Sequence, residues 1–293
     1  MEVISLGQNY SEPIVLCLGF FDCMHLGHVK LLKRAKQMAQ SAKVALFTFC
    51  NSHFETLKRS TKLIYTFDER LALYQSLGVD VTLNAKFDAA FMSLSGKEFL
   101  SEISRYNLSG VVCGADFTCG SDLLNATSVK EYLKDVCPVE IVDLVKRDGQ
   151  KVCSTLVRRL LCEGNVQQAN AYLSQPFFFL GKVQHGRRMG HNLGFPTVNV
   201  DAPEEKLAPI GVYGGVVTVD EKEYRAIVNV GSTPTFGIEK LTVEAHLIDF
   251  EGDLYGKRIK IALTEFLRPV QKFQSANALR EQLQKDVEVV KND

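Results

Sequence analysis

The chain has no surplus of charge: 34 Lys and Arg balance 34 Asp and Glu over 293 residues. Affinity for nucleic acid rests largely on clustered cations, so this balance excludes a binder that relies on a broad basic field. It leaves room for a small phosphate-bearing ligand, which needs only a few local donors. No apolar run approaches the roughly 18 residues of a membrane-spanning helix. Met1 to Gly7 carries no basic stretch followed by an apolar core, so no signal peptide is read there. The expectation is a cytoplasmic protein with no membrane partner. None of the eight cysteines forms a Cys-x-x-Cys pair, and several lie in apolar runs such as Val15-Leu16-Cys17-Leu18. Reduced, structural thiols are expected, and a zinc site would need tighter spacing. Internal repeats and low-complexity segments are also missing, and no Gly-x-x-x-x-Gly-Lys loop marks a P-loop kinase.

What is present is apolar residue enough, 46%, for two cores, and a change of pattern partway along. The first half alternates strand-like and helix-like stretches. Pro13–Gly19, Lys43–Phe49, Val79–Leu83, Gly110–Cys113 and Val139–Val145 read as strands, and helices run through Leu31–Ala35 and from Asp68. Alternation of this kind predicts a mostly parallel sheet covered on both faces, an α/β Rossmann-like domain. After Gln175-Pro176 the runs are strand-like and separated by glycine-rich turns: Gly211–Val219, Tyr224–Val230, Leu241–Leu247 and Arg258–Leu263. They predict a small antiparallel barrel, closed by a C-terminal helix with Ser275 as cap and Leu279 and Leu283 on one face. The domains are therefore expected at 1–175 and 176–293. All eight cysteines precede Gly164, a further sign of two modules.

Directly after the first strand of the α/β half comes Gly19-Phe20-Phe21-Asp22-Cys23-Met24-His25-Leu26-Gly27-His28. A strand ending in a glycine-containing loop before a helix suits phosphates, because the helix start offers unpaired N–H groups and partial positive charge. On spacing alone the two histidines could equally be surface residues or part of a metal site. Cys153-Ser154-Thr155-Leu156-Val157-Arg158 sets hydroxyls at a helix start and a cation one turn on, which suits phosphate or serves as a plain cap. In the second half, Gly190-His191-Asn192-Leu193-Gly194-Phe195-Pro196-Thr197-Val198-Asn199 holds two short oxygen-bearing side chains that alternate onto one face. Such a pair can help hold Mg²⁺. A turn between strands explains the same residues as well.

These segments resemble one family along nearly the whole chain, the bifunctional riboflavin kinase/FAD synthetases. His25-Leu26-Gly27-His28 is similar to the His-x-Gly-His motif of nucleotidyltransferases, Val111-Val112-Cys113-Gly114-Ala115-Asp116-Phe117 to the Val-Gly-x-Asp-Phe segment, and Cys153–Arg159 to Ser-Ser-Thr-x-Ile-Arg. Pro196–Asn199 resembles the kinase signature Pro-Thr-Ala-Asn. Gly211-Val212-Tyr213, Asn229–Phe236, Val243-Glu244-Ala245-His246 and Phe266-Leu267-Arg268 extend that match. The chain departs at Cys23, where the family has glycine, at Cys50–Phe54, where it has a His-Pro pair, at Cys119 and Cys153, where a Phe and a Ser are usual, and at His191 and Val198, where Arg and Ala are.

The resemblance implies an enzyme that phosphorylates riboflavin to FMN and adenylylates FMN to FAD, with ATP, riboflavin and FMN as substrates and Mg²⁺ as cofactor. It implies His25 and His28 as the histidines that stabilise phosphate charge, and Gly19, Phe20, Asp22, Gly27, Ser154, Thr155 and Arg158 as ATP contacts of the adenylyl site. For the kinase site it implies ATP contacts at Gly190, Gly194 and Pro196, metal ligands at Thr197 and Asn199, and Glu244 as general base. Asp116, Phe117 and Arg268 are the implied flavin contacts. Two narrower readings stand beside it: a chain with only the kinase site competent, and a flavin-binding regulator without turnover. The partners are small molecules, and no oligomeric state is implied.

Overall fold

A computed structural model describes residues 1–52, 57, 60–184, 194–235 and 238–292. The chain divides into two compact units, Met1–Ser154 and Thr155–Asp293.

The first unit holds β1 (Glu2–Ser5), β2 (Ile14–Leu18), α1 (Leu26–Ala39), β3 (Lys43–Phe49), α2 (Phe67–Ser76), β4 (Val81–Ala85), α3 (Ala89–Ser93), α4 (Gly96–Ile103) and β5 (Leu108–Gly114). A small hairpin of β6 (Thr118–Cys119) and β7 (Leu124–Asn125) follows, then α5 (Ala126–Leu133), β8 (Val139–Val142), and a second hairpin of β9 (Lys146–Arg147) and β10 (Gln150–Lys151). The six long strands form one parallel sheet in the order β1-β4-β3-β2-β5-β8. Strand β2 is buried at every position, as its unbroken apolar run requires when helices cover both faces. Two helices start on full capping boxes, Thr66 with Glu69 and Ser95 with Glu98, so local sequence fixes where they begin. From β2 the chain winds one way through β3 and β4, then returns to place β5 on the other side. That reversal opens a crevice at the carboxyl ends of β2 and β5, where open α/β sheets bind ligands.

The second unit opens with α6 (Ser154–Cys162), which Ser154 shares with the first, and α7 (Val166–Asn170). Strands β11 (Phe178–Lys182), β12 (Val198–Asp201), β13 (Gly211–Val219), β14 (Lys222–Thr235), β15 (Ile238–Leu247) and β16 (Arg258–Arg268) follow, then α8 (Ala276–Asn292). The strands pair antiparallel in the order β11-β16-β13-β14-β15-β12. Beyond β11, Gln184 bridges to Asn199 of β12, which brings the two ends of the sheet together into a nearly closed barrel. Gly181 allows this approach, since a Cβ there would collide with Val200. Asn170 stitches α7 to the barrel, donating to Leu263 O at 2.9 Å and accepting from Phe177 N at 2.8 Å.

Helix α8 covers part of the barrel's outer face. Ser275 Oγ accepts from Ala278 N at 3.2 Å, and Val287 and Val290 pack with Val212, Ile227, Ile248 and Leu267. The buried stripe of this helix also contains an acid: Asp286 is 4% exposed and receives Arg268 through Nη2 at 2.8 Å and Nε at 3.1–3.2 Å. Gln282 donates to the same carboxylate at 2.8 Å. At the far end Arg225 Nη1 donates to the Val290 and Lys291 carbonyls, closing the helix terminus. Asp286→Ala strands the Arg268 guanidinium in a largely buried place. It should cost about 3 kcal/mol, the scale for breaking a buried pair from one side. Urea unfolding and faster amide exchange along 276–292 read this loss, and an unchanged transition would show that apolar packing alone docks the helix.

Candidate functional site

The crevice of the first unit is lined by Leu18, Gly19, His25, Gly27, His28, Gly114, Asp116, Phe117 and Lys151, among others. Sheet and loop jointly produce it. Strand β2 delivers Gly19 to the crevice floor, and the loop then turns sharply, with Phe21 and Met24 both in the left-handed region at φ 53° and 45°. Non-glycine residues enter that region at a cost, so the surrounding packing must hold them there. Both are fully buried, and Tyr74 Oη donates to Phe21 O at 2.8 Å. Asp22 is 1% exposed and accepts from Ile64 N. Cys23, where the resembled family has glycine, is not among the left-handed residues, so a side chain there carries no backbone strain. Its Sγ lies 3.7 Å from Ser154 Oγ.

His25 is the N-cap of α1, its Nδ1 accepting from His28 N at 3.2 Å. With Nδ1 as acceptor, a neutral ring carries its hydrogen on Nε2. The two imidazoles stack at 3.7 Å between centroids, and Phe21 packs on His28 at 4.8 Å. Gly27 makes this possible: a Cβ there would stand 2.9–3.0 Å from the His25 ring. The glycine in the motif is thus required first by histidine, before any ligand. Burial pushes the His25 pKa down to about 4. His28 is lowered well below its ordinary value by burial and then by its neighbour's charge. Both rings are neutral at pH 7, ready to donate hydrogen bonds, and a bound polyphosphate would favour their protonation.

Asp116, exposed just past β5, pairs with Lys151 Nζ at 2.5 Å, and both line the crevice. Ser154 opens α6, and on that helix Thr155 is exposed and Arg158 half-buried. The residues missed from sequence are Lys151 and Arg70. Lys151 stands three residues before Ser154 on a short hairpin, and its charge beside the Cys-Ser-Thr segment was the available signal. Arg70 is fully buried; it donates to Thr48 Oγ1 and Phe49 O at 2.8 Å, and Thr48 in turn donates to Phe20 O at 2.7 Å. This chain sets the Phe20 end of the loop, with the guanidinium 4.9 Å from the Phe20 ring. Nothing in a capped amphipathic helix distinguishes such an arginine from a solvated one.

In the second unit the expected residues meet through strand register. Asn199 of β12 lies directly opposite Glu244 of β15, and Glu244 directly opposite Asn229 of β14. Opposed residues share a face. Val243 and Ala245 are fully buried and Val200 is 2% exposed, so Asn199, Glu244 and Asn229 form a polar row on the outer face, each half-buried. The same row continues through Val212 to Arg268, whose guanidinium is held by Asp286. Thr197 is half-buried immediately before β12, Pro196 is exposed, and Gly194 takes a left-handed φ of 83°. Gly190 lies outside the described residues, as do His191, Phe236 and the His53-Phe54 stretch. His246, two positions from Glu244, meets the loop at Pro196 O with Nδ1 at 2.9 Å. It was visible within the Val-Glu-Ala-His segment, though its contact was not.

Known proteins align with both units. The riboflavin kinase family matches residues 173–293 and the FAD synthetase family residues 7–156. The bifunctional riboflavin kinase/FMN adenylyltransferase of Bacillus subtilis strain 168 is similar at 33% identity over 283 residues, covering 93% of this chain and 90% of that one. The enzyme of the same description in Escherichia coli K12 is 30% identical over 295 residues, covering 96% and 93%. A crystal structure of a macrolide-efflux protein from Streptococcus pneumoniae superposes at a TM-score of 0.89 with 30% identity over 100% of both chains. Among the described residues, no helix is long and apolar enough to cross a membrane.

The buried imidazoles tie stability to pH. An unfolded histidine titrates near 6.5, the folded His25 at about 4. Above about 6.5 both states are neutral and nothing changes. As pH falls below it the unfolded chain takes up the proton first, so stability drains between about 6.5 and 4, by up to ~3 kcal/mol for His25. His25→Asn keeps a capping oxygen and removes this group. Its melting temperature should fall less steeply than that of the native chain through that window; parallel curves would refute the burial of His25.

Proposed function

The chain belongs to the family of bifunctional riboflavin kinase/FMN adenylyltransferases, and from that membership we propose that its two sites act in succession on one flavin. The barrel transfers the γ-phosphoryl group of ATP to the terminal ribityl hydroxyl of riboflavin, giving FMN. The α/β domain transfers AMP from a second ATP to FMN, giving FAD and pyrophosphate. We place the functional division at 175/176 and the setting in the cytoplasm, as the absence of Cys-x-x-Cys pairs and the apolar surroundings of the cysteines in sequence suggest.

The observation that carries the kinase reading is the register of Asn199, Glu244 and Asn229 on one face. Phosphoryl transfer asks a protein mainly for positioning and charge neutralisation. Thr197 and Asn199 offer neutral oxygen donors, the hard kind that Mg²⁺ takes, and few enough to leave most of its octahedron to phosphates and water. When bound, the ion would neutralise and orient the phosphates. Glu244 is the base that accepts the hydroxyl proton. Gly190, Gly194 and Pro196 form the ATP loop, and Arg268, fixed by Asp286, borders the flavin.

In the α/β domain His25 and His28 donate to phosphate oxygens as pyrophosphate leaves. Gly19, Phe20, Asp22, Gly27, Ser154, Thr155 and Arg158 hold ATP, and Asp116 and Phe117 contact the flavin. Neither step needs a covalent enzyme intermediate. A chromatographic time course with riboflavin, ATP and Mg²⁺ should show FMN first and FAD after it. Glu244→Gln should lower FMN formation by at least about 100-fold, in the range of losing a general base, while still converting supplied FMN to FAD. His28→Ala should do the reverse and let FMN accumulate. A native chain that stops at FMN from either starting point would reject the adenylyl half, and flavin binding without turnover would reject both.

A further inference from the structure

Residues 194–197 reach the kinase face ahead of the sheet's own ladder, which begins at Val198 opposite Ala245. Among the described residues, nothing stands within 4 Å of where a Cβ on Gly194 would be. What meets the segment is His246. The ring lies edge-on to Phe195 with centroids 5.3 Å apart, and Nδ1 stands 2.9 Å from the carbonyl oxygen of Pro196. A carbonyl only accepts, so Nδ1 must carry the hydrogen. That oxygen belongs to the peptide plane that ends at the Thr197 nitrogen. Fixing it fixes the backbone from which Thr197 projects.

We propose that His246 is a positioning residue for riboflavin phosphorylation, which tethers the Pro196–Thr197 peptide so that Thr197 and Asn199 are presented together beside Glu244. The proposal rests on the kinase reading above. Glu244 and His246 are two positions apart on one face of β15, about 7 Å along the strand. The same rigid strand therefore carries the base and the tether of the loop opposite it. Partners that orient ligands from behind typically matter by tenfold or more when removed.

Three variants separate hydrogen bond from packing. His246→Phe keeps a ring against Phe195 and loses the donor. His246→Asn places an amide nitrogen where Nδ1 stood, and His246→Gln places it where Nε2 stood. For riboflavin phosphorylation, Phe and Gln should raise KM for Mg-ATP about tenfold with a smaller fall in kcat, and Asn should recover most of the difference. Amide exchange over residues 194–201, measured by mass spectrometry without ligand, should quicken in Phe and return toward native in Asn. A native urea-unfolding transition of the barrel, followed by amide exchange over β13–β16, serves as the folding control. A Phe variant with native KM and native exchange overturns the proposal, as does Gln rescuing as well as Asn. If Thr197→Ala leaves FMN formation intact, the kinase reading itself fails, and the exchange measurement still decides the tether.

Discussion

The second unit depends on one constraint, the antiparallel register of β12, β15 and β14. Side chains alternate across a strand, so a slip by one residue would bury Glu244 and Asn199 and expose Val243 and Val200. The sheet guards against that slip in several ways. Interior positions are filled by Val228, Val230, Val243 and Ala245, all with no exposure, and the closure at Gly181 tolerates no shift of Val200. Outside, α8 presses on Val212 and Ile227 and is pinned by the Arg268–Asp286 pair. The polar row is what remains of that outer face.

The first unit solves a different problem, keeping two titratable rings uncharged at the wall of a crevice. Its answer is to give each imidazole a structural duty. His25 caps α1 and thereby fixes its own tautomer; the His28 backbone supplies the capped N–H, and its ring stacks on His25 and lies tilted against Phe21. The helix start therefore gives up one of its free donors to a side chain that itself presents a donor to the crevice. The topology supplies the location, because the connections leaving the paired strands β2 and β5 run to opposite sides where the winding of the sheet reverses.

Much of this was legible in the residues. Uninterrupted apolar runs gave the buried strands, with Lys43–Phe49 and Gly211–Val219 matching the observed limits. The change from α/β alternation to glycine-punctuated strands gave the barrel, and Ser275 the last helix. Strand β1 was not read, since only Ile4 of its four residues is buried and an edge strand shows little periodicity. Segment matches located the histidine pair and the Pro-Thr-Val-Asn loop. Contacts that span long stretches of chain were not legible: His246 reaches back 50 residues to Pro196, and Arg70 reaches 22 to Thr48. Arg268 was expected to face flavin, and its pairing with Asp286 arises from a helix whose buried acid no hydrophobic pattern announces.

Cys23 and its neighbours bear on how such a loop drifts in evolution. The unusual backbone angles belong to Phe21 and Met24, and both side chains are sealed into the core. Position 23 lies between them and is not among the left-handed residues. Loop shape therefore rests on Phe21 and Met24, and of the two residues between them Asp22 is held by Ile64 while position 23 needs only a side chain small enough to sit against Ser154. A glycine at that position in relatives would reflect the room available, and the cysteine here shows that the room admits a thiol. The loop's identity is carried by its corners.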